Sequence, residues 1–125
     1  MITWGATYLY VLTRIYTPDG ETAAYVQQYS ALALLSIVIT APFLEEILFT
    51  GYLYPLLRNK WDIYKGIIVI SLLFSVLHLE CVLIPLFFGG AFIKTMVYER
   101  THCIFLAMLI HFINNFFSYA IILLY

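Results

Sequence analysis

Hydrophobic positions along the chain fall into long runs that are separated by short polar stretches. Four such runs cover residues 30 to about 57, 62 to 79, 82 to 98 and 103 to 125. A helix of about 20 apolar residues is long enough to cross the hydrocarbon core of a bilayer. The pattern therefore predicts an all-α fold, a multi-pass transmembrane helix bundle with about four core spans.

The first 29 residues give a weaker signal. Residues 3 to 16 favour a short span or an interfacial helix, and "TPDGETAA" after them is typical of a turn and a solvated connection. We see neither a basic leader nor a small-residue cleavage site, so a removed signal peptide is not expected. The prediction is thus a region 1–29, with a weak span or interfacial helix and a loop, followed by a core at 30–125.

The first core run is too long for a straight helix that stands upright in the membrane. Residues 30 to 57 would extend about 42 Å, against roughly 30 Å of hydrocarbon. Pro42 lies inside this run, and a proline removes a backbone donor from a helix. We therefore predict a tilt, or a kink at Pro42.

Composition supports lipid as the solvent of this chain. Of its 125 residues, 64% are hydrophobic and only 10% are charged. A water-soluble domain is nearer half apolar and one quarter charged. The net charge of -1 and the lack of a long basic run argue against a nucleic-acid partner. Cys81 and Cys103 are predicted near opposite membrane faces, so a disulfide is not expected.

Positive charges gather at one end of the predicted bundle. Three of them share one short loop, and two flank the next loop on the same side: Arg58, Lys60 and Lys65, then Lys94 and Arg100. Loops that are rich in Lys and Arg usually face the cytoplasm. We therefore predict that the loop with Arg58, Lys60 and Lys65 is cytoplasmic, and that the C-terminus lies outside.

Separate spans place polar groups at a similar depth. Glu45, His78 and His111 lie about 20, 20 and 17 Å along their helices from basic residues at the predicted cytoplasmic side. Asn115 follows His111 by one turn and Phe74 precedes His78 by one turn, so each pair shares a helix face. One intramembrane His or Asn is often only a contact between helices. Because several occur at one depth, we predict that Glu45, His78, His111 and Asn115 converge on one pocket.

These groups suit the hydrolysis of an amide. A carboxylate beside a neutral imidazole in a dry cavity can hold and deprotonate a water. A second His and an Asn can donate to the oxyanion that forms when water attacks the amide carbon. No metal is needed for this chemistry. Zinc remains the alternative, because two His and a Glu are good zinc ligands, and the set would be Glu45, His78 and His111.

Three short motifs carry a resemblance to a known family. "EEILFTG" from residue 45, "FSVLH" from 74 and "HFINN" from 111 resemble the motifs of the CAAX-protease and bacteriocin-processing (CPBP, or Abi) intramembrane proteases. The family pattern is Glu-Glu-x-x-x-Arg, then Phe-x-x-x-His, then His-x-x-x-Asn or Asp. The resemblance covers residues 30 to 120. It implies that Glu45 activates water with His78 as its partner, and that His111 and Asn115 form the oxyanion site.

The chain departs from the family pattern at Thr50, which stands where the motif has an arginine. Arg58 is three turns away on another side of the helix and is a poor substitute. Without a cation, an ionised Glu46 would be an unpaired buried charge. We therefore expect a protonated Glu46 that is hydrogen-bonded to Thr50, together with lower activity or a changed substrate range.

The resemblance implies an integral membrane endopeptidase of a bacterial or archaeal cell membrane. Its substrate would be a peptide or a lipidated peptide, as in CAAX processing, bacteriocin processing or self-immunity. The alternative is a catalytically weak or silent immunity or scaffold protein, which binds a peptide or a sensor partner in the same groove. The missing arginine favours that alternative. A transporter or channel subunit is less favoured because no internal repeat is visible. The oligomeric state is not indicated by the sequence.

Overall fold

The computed structural model describes residues 24, 27–78 and 84–124. Every regular element in these ranges is helical, which confirms the predicted all-α bundle. Most of the predicted region 1–29 lies outside the described residues, and so does Cys81. Cys103 carries a free thiol.

The four hydrophobic runs correspond to four helices in the described part of the chain. They are α1 (Ser30–Lys60), α2 (Ile63–Leu77), α3 (Ile84–Thr101) and α4 (Ile104–Leu124). Each helix begins and ends within about three residues of its predicted limits. Helices adjacent in sequence pack against one another, and α4 returns to the first half of α1, so the bundle closes on itself.

Helix α1 changes its hydrogen-bond register twice, next to its two prolines. It is π-helical over Leu34–Thr40 and again over Ile47–Leu53. The α-helical stretches that follow each carry a proline, Pro42 and Pro55, within their first two positions. A proline has no N–H to donate, so the start of a new register is a tolerant position for it. Near Pro42, where we predicted a tilt or a kink, the structure has such a change of register.

Asn115 completes the junction at Pro42. The N–H of Ala41 donates to the carbonyl of Ser36, and Pro42 has no N–H. The carbonyl of Ile37 is therefore left without a donor from its own helix. Asn115 Nδ2, on α4, donates to that carbonyl at 3.0 Å. A side chain from a neighbouring helix is a known way to satisfy a backbone group that a proline frees in a membrane.

Side-chain contacts fix the connections at the basic end of the bundle. Asp62 caps α2 by accepting a hydrogen bond from the Lys65 N–H at 2.9 Å, and this bond lowers the pKa of Asp62. Arg58 near the end of α1 forms a bidentate pair with Glu99 on α3, at 2.8 Å. Tyr54 donates to the same carboxylate at 2.7 Å. The ends of α1 and α3 therefore lie side by side.

The distribution of polarity is that of a membrane protein. Large apolar side chains such as Leu44, Phe105 and Phe117 are more than half exposed. Fully or almost fully buried positions include Glu46 and Lys94. Helix α1 is long and apolar enough to cross a membrane, and α2 and part of α4 are shorter apolar helices. Charged groups inside and hydrocarbon outside fit an integral membrane protein, in which lipid covers the outer surface.

Candidate functional site

The centre of the bundle holds a cluster of three ionisable side chains from three helices. Glu46 on α1, Lys94 on α3 and His111 on α4 are almost fully buried, with side-chain exposures of 1%, 6% and 7%. Glu46 Oε1 lies 2.6 Å from Lys94 Nζ and 2.8 Å from His111 Nδ1. Lys94 Nζ lies 2.9 Å from the same His111 nitrogen. The three groups form a closed triangle of contacts.

Thr50 completes the surroundings of Glu46. Its hydroxyl donates to the second carboxylate oxygen, Oε2, at 2.5 Å. The predicted contact between Glu46 and Thr50 is thus present. Beside it lies a small cavity of about 10 Å³, room for about one water molecule. Its lining includes Glu46, Thr50, Phe74 and Lys94.

The prediction that Glu46 lacks a cation is wrong. Lys94 supplies the positive charge from a different helix, and the reason for expecting a protonated Glu46 disappears with it. Lys94 was also wrongly placed beside a cytoplasmic loop, because it lies in the middle of α3 and is buried. Arg58 is indeed no substitute for the motif arginine, since it pairs with Glu99.

Glu45 lies on the other side of the His111 ring. Its Oε2 is 3.7 Å from His111 Nε2, and its side chain is 32% exposed. The adjacent glutamates therefore approach different nitrogens of one imidazole, Glu46 at Nδ1 and Glu45 at Nε2. Glu46 is enclosed, whereas Glu45 remains accessible from outside the bundle.

His78 belongs to an aromatic stack next to this cluster. The Phe74 ring lies between the two imidazoles, with its centroid 4.4 Å from that of His78 and 5.8 Å from that of His111. Phe87 also stacks on His78, with ring centroids 4.5 Å apart. His78 Nδ1 is 2.8 Å from the Phe74 carbonyl, which can only accept, so Nδ1 carries a proton. In the neutral ring, Nε2 therefore keeps its lone pair.

The structure brings the predicted residues together only in part. It joins Glu45 to His111 and links His78 to His111 through Phe74, but the amide nitrogen of Asn115 is bound to the backbone of α1. Within the described ranges, no three His, Cys, Asp or Glu side chains are grouped as metal ligands. Glu45, His78 and His111, the predicted zinc set, do not form such a group.

Lys94 is the residue that the sequence reasoning missed. The positive-inside rule assigned it to a loop, although the predicted span 82 to 98 already contained it. Its neighbours in the buried face of α3, Ala91 and Thr95, are three residues before it and one after it. One signal could have identified Lys94 as a site residue. It is a basic residue within a predicted span, in a chain that lacks the motif arginine.

Comparisons with known proteins agree with the motifs. The family model described as "Type II CAAX prenyl endopeptidase Rce1-like" matches residues 27–117. A protein of Bacillus subtilis (strain 168), named "Putative membrane peptidase YdiL", is 28% identical over 99 residues. That alignment covers 78% of this chain and 41% of the relative, so the chain spans about two fifths of the relative's length. No solved structure matches.

Proposed function

We propose, from the premise that this chain belongs to the type II CAAX prenyl endopeptidase Rce1-like family, that it is an integral membrane endopeptidase. The family match confirms the resemblance that the three motifs predicted. The proposed substrate is a peptide or a prenylated peptide that reaches the Glu45 side of the bundle from the membrane. The proposed reaction is hydrolysis of a peptide bond by a water molecule, without a metal.

One observation carries this proposal: an accessible carboxylate faces an immobilised imidazole. The 3.7 Å between Glu45 Oε2 and His111 Nε2 is too long for a good direct hydrogen bond. A substrate group or a water near both atoms could contact each of them. Glu46 cannot act in this way because its side chain is 1% exposed and both carboxylate oxygens are bound.

The proposed reaction uses Glu45 as the general base. Glu45 takes a proton from the water while the water oxygen attacks the carbonyl carbon of the scissile amide. The carbonyl oxygen becomes negatively charged, and a hydrogen bond from His111 Nε2–H stabilises it. Glu45 then passes the proton to the leaving amine as the C–N bond breaks, which returns the carboxylate to its first state.

His78 and Asn115 have different proposed roles. His78 would accept a hydrogen bond from the attacking water through Nε2, since its Nδ1–H is held by the Phe74 carbonyl. Asn115 would hold α4, and with it His111, against α1 through the Ile37 carbonyl. The resemblance implied an oxyanion role for Asn115, and its observed contact supports a positioning role instead.

The alternative of a silent binding protein loses its main argument. That alternative was favoured by the missing motif arginine, and Lys94 provides a cation for Glu46 in its place. The buried polar groups of the motifs also contact one another or bond to backbone carbonyls. We therefore retain the endopeptidase as the proposed function.

The test uses the full chain in liposomes and an internally quenched peptide that ends in a CAAX tetrapeptide, with and without a farnesyl group. We expect hydrolysis by the wild type, and a loss of about 10²-fold to 10⁴-fold in kcat for Glu45→Gln. The matched control is Asp62→Asn, which also changes an acid to an amide but keeps an equally good helix cap outside the site. It should keep the wild-type rate.

The outcomes separate the parts of the proposal. If Glu45→Gln folds normally and keeps the wild-type rate, the role of Glu45 is wrong. If neither peptide is cleaved, the proposed substrate class is wrong. Cleavage of both peptides at equal rates would support an unprenylated peptide as a sufficient substrate. Loss of activity in the presence of a metal chelator, with recovery on adding zinc, would overturn the metal-independent reaction.

A further inference from the structure

We propose that Lys94 is a positioning residue that replaces the motif arginine and fixes the proton of His111 on Nε2. This inference goes beyond charge compensation for Glu46, because it assigns a chemical state to the imidazole that faces Glu45. It rests on the proposed function only for its consequence on hydrolysis. The state of the imidazole can be measured independently of any substrate.

The contacts of Lys94 influence where the imidazole proton lies. An ammonium group has three donors and no acceptor. Its 2.9 Å contact with His111 Nδ1 is therefore a hydrogen bond only if that nitrogen has a free lone pair. If Nδ1 carried the proton and donated to Glu46 Oε1 at 2.8 Å, two donors would face each other across the 2.9 Å contact with Lys94. With the proton on Nε2, Nδ1 and Glu46 Oε1 are two acceptors 2.8 Å apart, and the ammonium group of Lys94 offsets their repulsion by donating to both. The contact with Lys94 thus favours the proton on Nε2.

The other side of the ring favours the same state. His111 Nε2 faces the carboxylate of Glu45, whose oxygens only accept when ionised. An Nε2–H is attracted to that carboxylate, whereas a lone pair on Nε2 would be repelled by it. Lys94 and Glu45 therefore select one tautomer from opposite sides. In the proposed reaction this tautomer places the donor where the oxyanion forms.

Thr50 stands where the family motif has an arginine, and this difference explains why a lysine on α3 can be the cation next to Glu46. The Thr50 hydroxyl lies against Glu46, so a side chain at position 50 is next to Glu46 on the same helix. Lys94 approaches from α3 and reaches both Glu46 and His111. Moving the cation to another helix thus links three helices through one ammonium group.

Nitrogen NMR of the imidazoles tests the inference directly. In the wild type with ¹⁵N-labelled histidine, in detergent micelles at neutral pH, we expect the His111 ring with its proton on Nε2. Lys94→Met should shift the population toward the Nδ1–H form, since only Glu46 then faces that nitrogen. Lys94→Arg should keep most of the Nε2–H form because it retains donors.

Two controls make this measurement specific. The His78 ring should keep its proton on Nδ1 in every variant, because it is bound to the Phe74 carbonyl. Ser71→Ala removes another fully buried polar group, outside the cluster, and should leave the His111 signals unchanged. A wild-type His111 with its proton on Nδ1, or an unchanged His111 spectrum in Lys94→Met, would overturn the inference.

Moving the positive charge from position 94 to position 50 tests whether Lys94 replaces the motif arginine. Lys94→Met should unfold at a lower temperature than the wild type, and Thr50→Arg in the same chain should recover part of that loss by returning a cation to Glu46. No recovery in the double variant would contradict the replacement. Lys94→Arg gives a second comparison, and it should be more stable than Lys94→Met.

The kinetic constants of Lys94→Met test whether the tautomer of His111 affects hydrolysis. We expect Lys94→Met to lower kcat by about 10²-fold, as for other losses of alignment, with a much smaller change in KM. Wild-type kcat in a folded Lys94→Met would overturn the positioning role. If the wild type cleaves no peptide at all, the proposed function fails while the NMR and stability results still decide the role of Lys94.

Discussion

Glu46 illustrates how a single carboxylate can be stable in the middle of an apolar bundle. Transfer of an isolated charge from water to such a place is expensive unless the charge is paired and hydrogen-bonded. Here one carboxylate oxygen contacts Lys94 and His111, and the other accepts from Thr50. The family pattern provides this pairing with an arginine in the same motif, and this chain provides it from α3.

Asn115 gives a prediction at the scale of one hydrogen bond. Asn115→Ala removes the donor to the Ile37 carbonyl and leaves that carbonyl unsatisfied, so we expect a loss of about 1–3 kcal/mol in the free energy of unfolding. Asn114→Ala is the matched control, because Asn114 is the adjacent residue and is exposed. Reversible denaturation in mixed micelles measures both variants.

A second substitution separates the two roles of Asn115. Pro42→Ala provides a backbone N–H that can donate to the Ile37 carbonyl, so Asn115→Ala should cost less in that background. The positioning role also predicts that hydrolysis recovers together with stability. If stability recovers but hydrolysis stays lost, Asn115 acts on the substrate, as the resemblance implied. An equal loss of stability for Asn115→Ala and Asn114→Ala would contradict the positioning role of Asn115.

At the scale of elements, the sequence predicts the helices well because each hydrophobic run is bounded by polar residues or turns. Asp62 marks the start of α2 as its cap, and Thr101 and Cys103 flank the turn from α3 to α4. That turn is tight, with His102 in the left-handed region at a φ of 52°. The change of register near Pro42 was less predictable, since it depends on a donor from α4.

Lys94 shows why the site was harder to predict than the helices. Hydropathy and the positive-inside rule assign a basic residue by its distance from a loop, but they do not say which way its side chain points. Lys94 points inward because Glu46 and His111 offer it partners there. These partners come from other helices, so the direction of the Lys94 side chain depends on how the helices pack. The motifs identified Glu46 and His111 but not the residue between them.

Glycines provide a prediction about packing between elements. A Cβ at Gly66 on α2 would lie 3.2 Å from the backbone N and Cα of Arg58, so Gly66→Ala must push α1 and α2 apart. We expect a loss of about 1–3 kcal/mol in the free energy of unfolding. Gly90→Ala is the matched control, since apart from its chain neighbours and the adjacent backbone of its own helix no described atom lies within 4 Å of its Cβ position.

Helix propensity alone would predict the same result for both glycines. Alanine is favoured over glycine inside a helix by about 0.5–1 kcal/mol, so Gly90→Ala should be neutral or stabilising. The sign of the difference between Gly66→Ala and Gly90→Ala therefore reports the close approach of α1 and α2. Equal changes in the midpoint of thermal unfolding would contradict the tight contact at Gly66.

At the scale of the whole molecule, the arrangement of polarity ties the site to the membrane. Lipid covers the exposed apolar side chains, and the interior holds Glu46, Lys94 and His111 buried. Interactions between charges are stronger in such a low-dielectric interior than in water. The low-dielectric interior thus raises the free-energy cost of burying a charge, and it also strengthens the attraction between charges that are paired there.

The orientation of the bundle is the remaining prediction at this scale. Helix α1 is about 46 Å long, so its two ends should leave a hydrocarbon core of roughly 30 Å on opposite sides. Lys60 is exposed at one end, and Gln28 is exposed just before the other. Because the loop after Lys60 is basic, we expect that end to face the cytoplasm.

Labelling of single cysteines measures this orientation. In a chain with Cys81→Ser and Cys103→Ser, a membrane-impermeant maleimide should modify Gln28→Cys in intact bacterial cells. It should modify Lys60→Cys only in inverted vesicles, because that end of α1 is enclosed by the cell membrane. The reverse pattern would place the basic loop outside and contradict the predicted topology. Labelling of both positions from the same side would contradict a membrane-crossing α1, and with it the bundle in which Glu46 and Lys94 are buried.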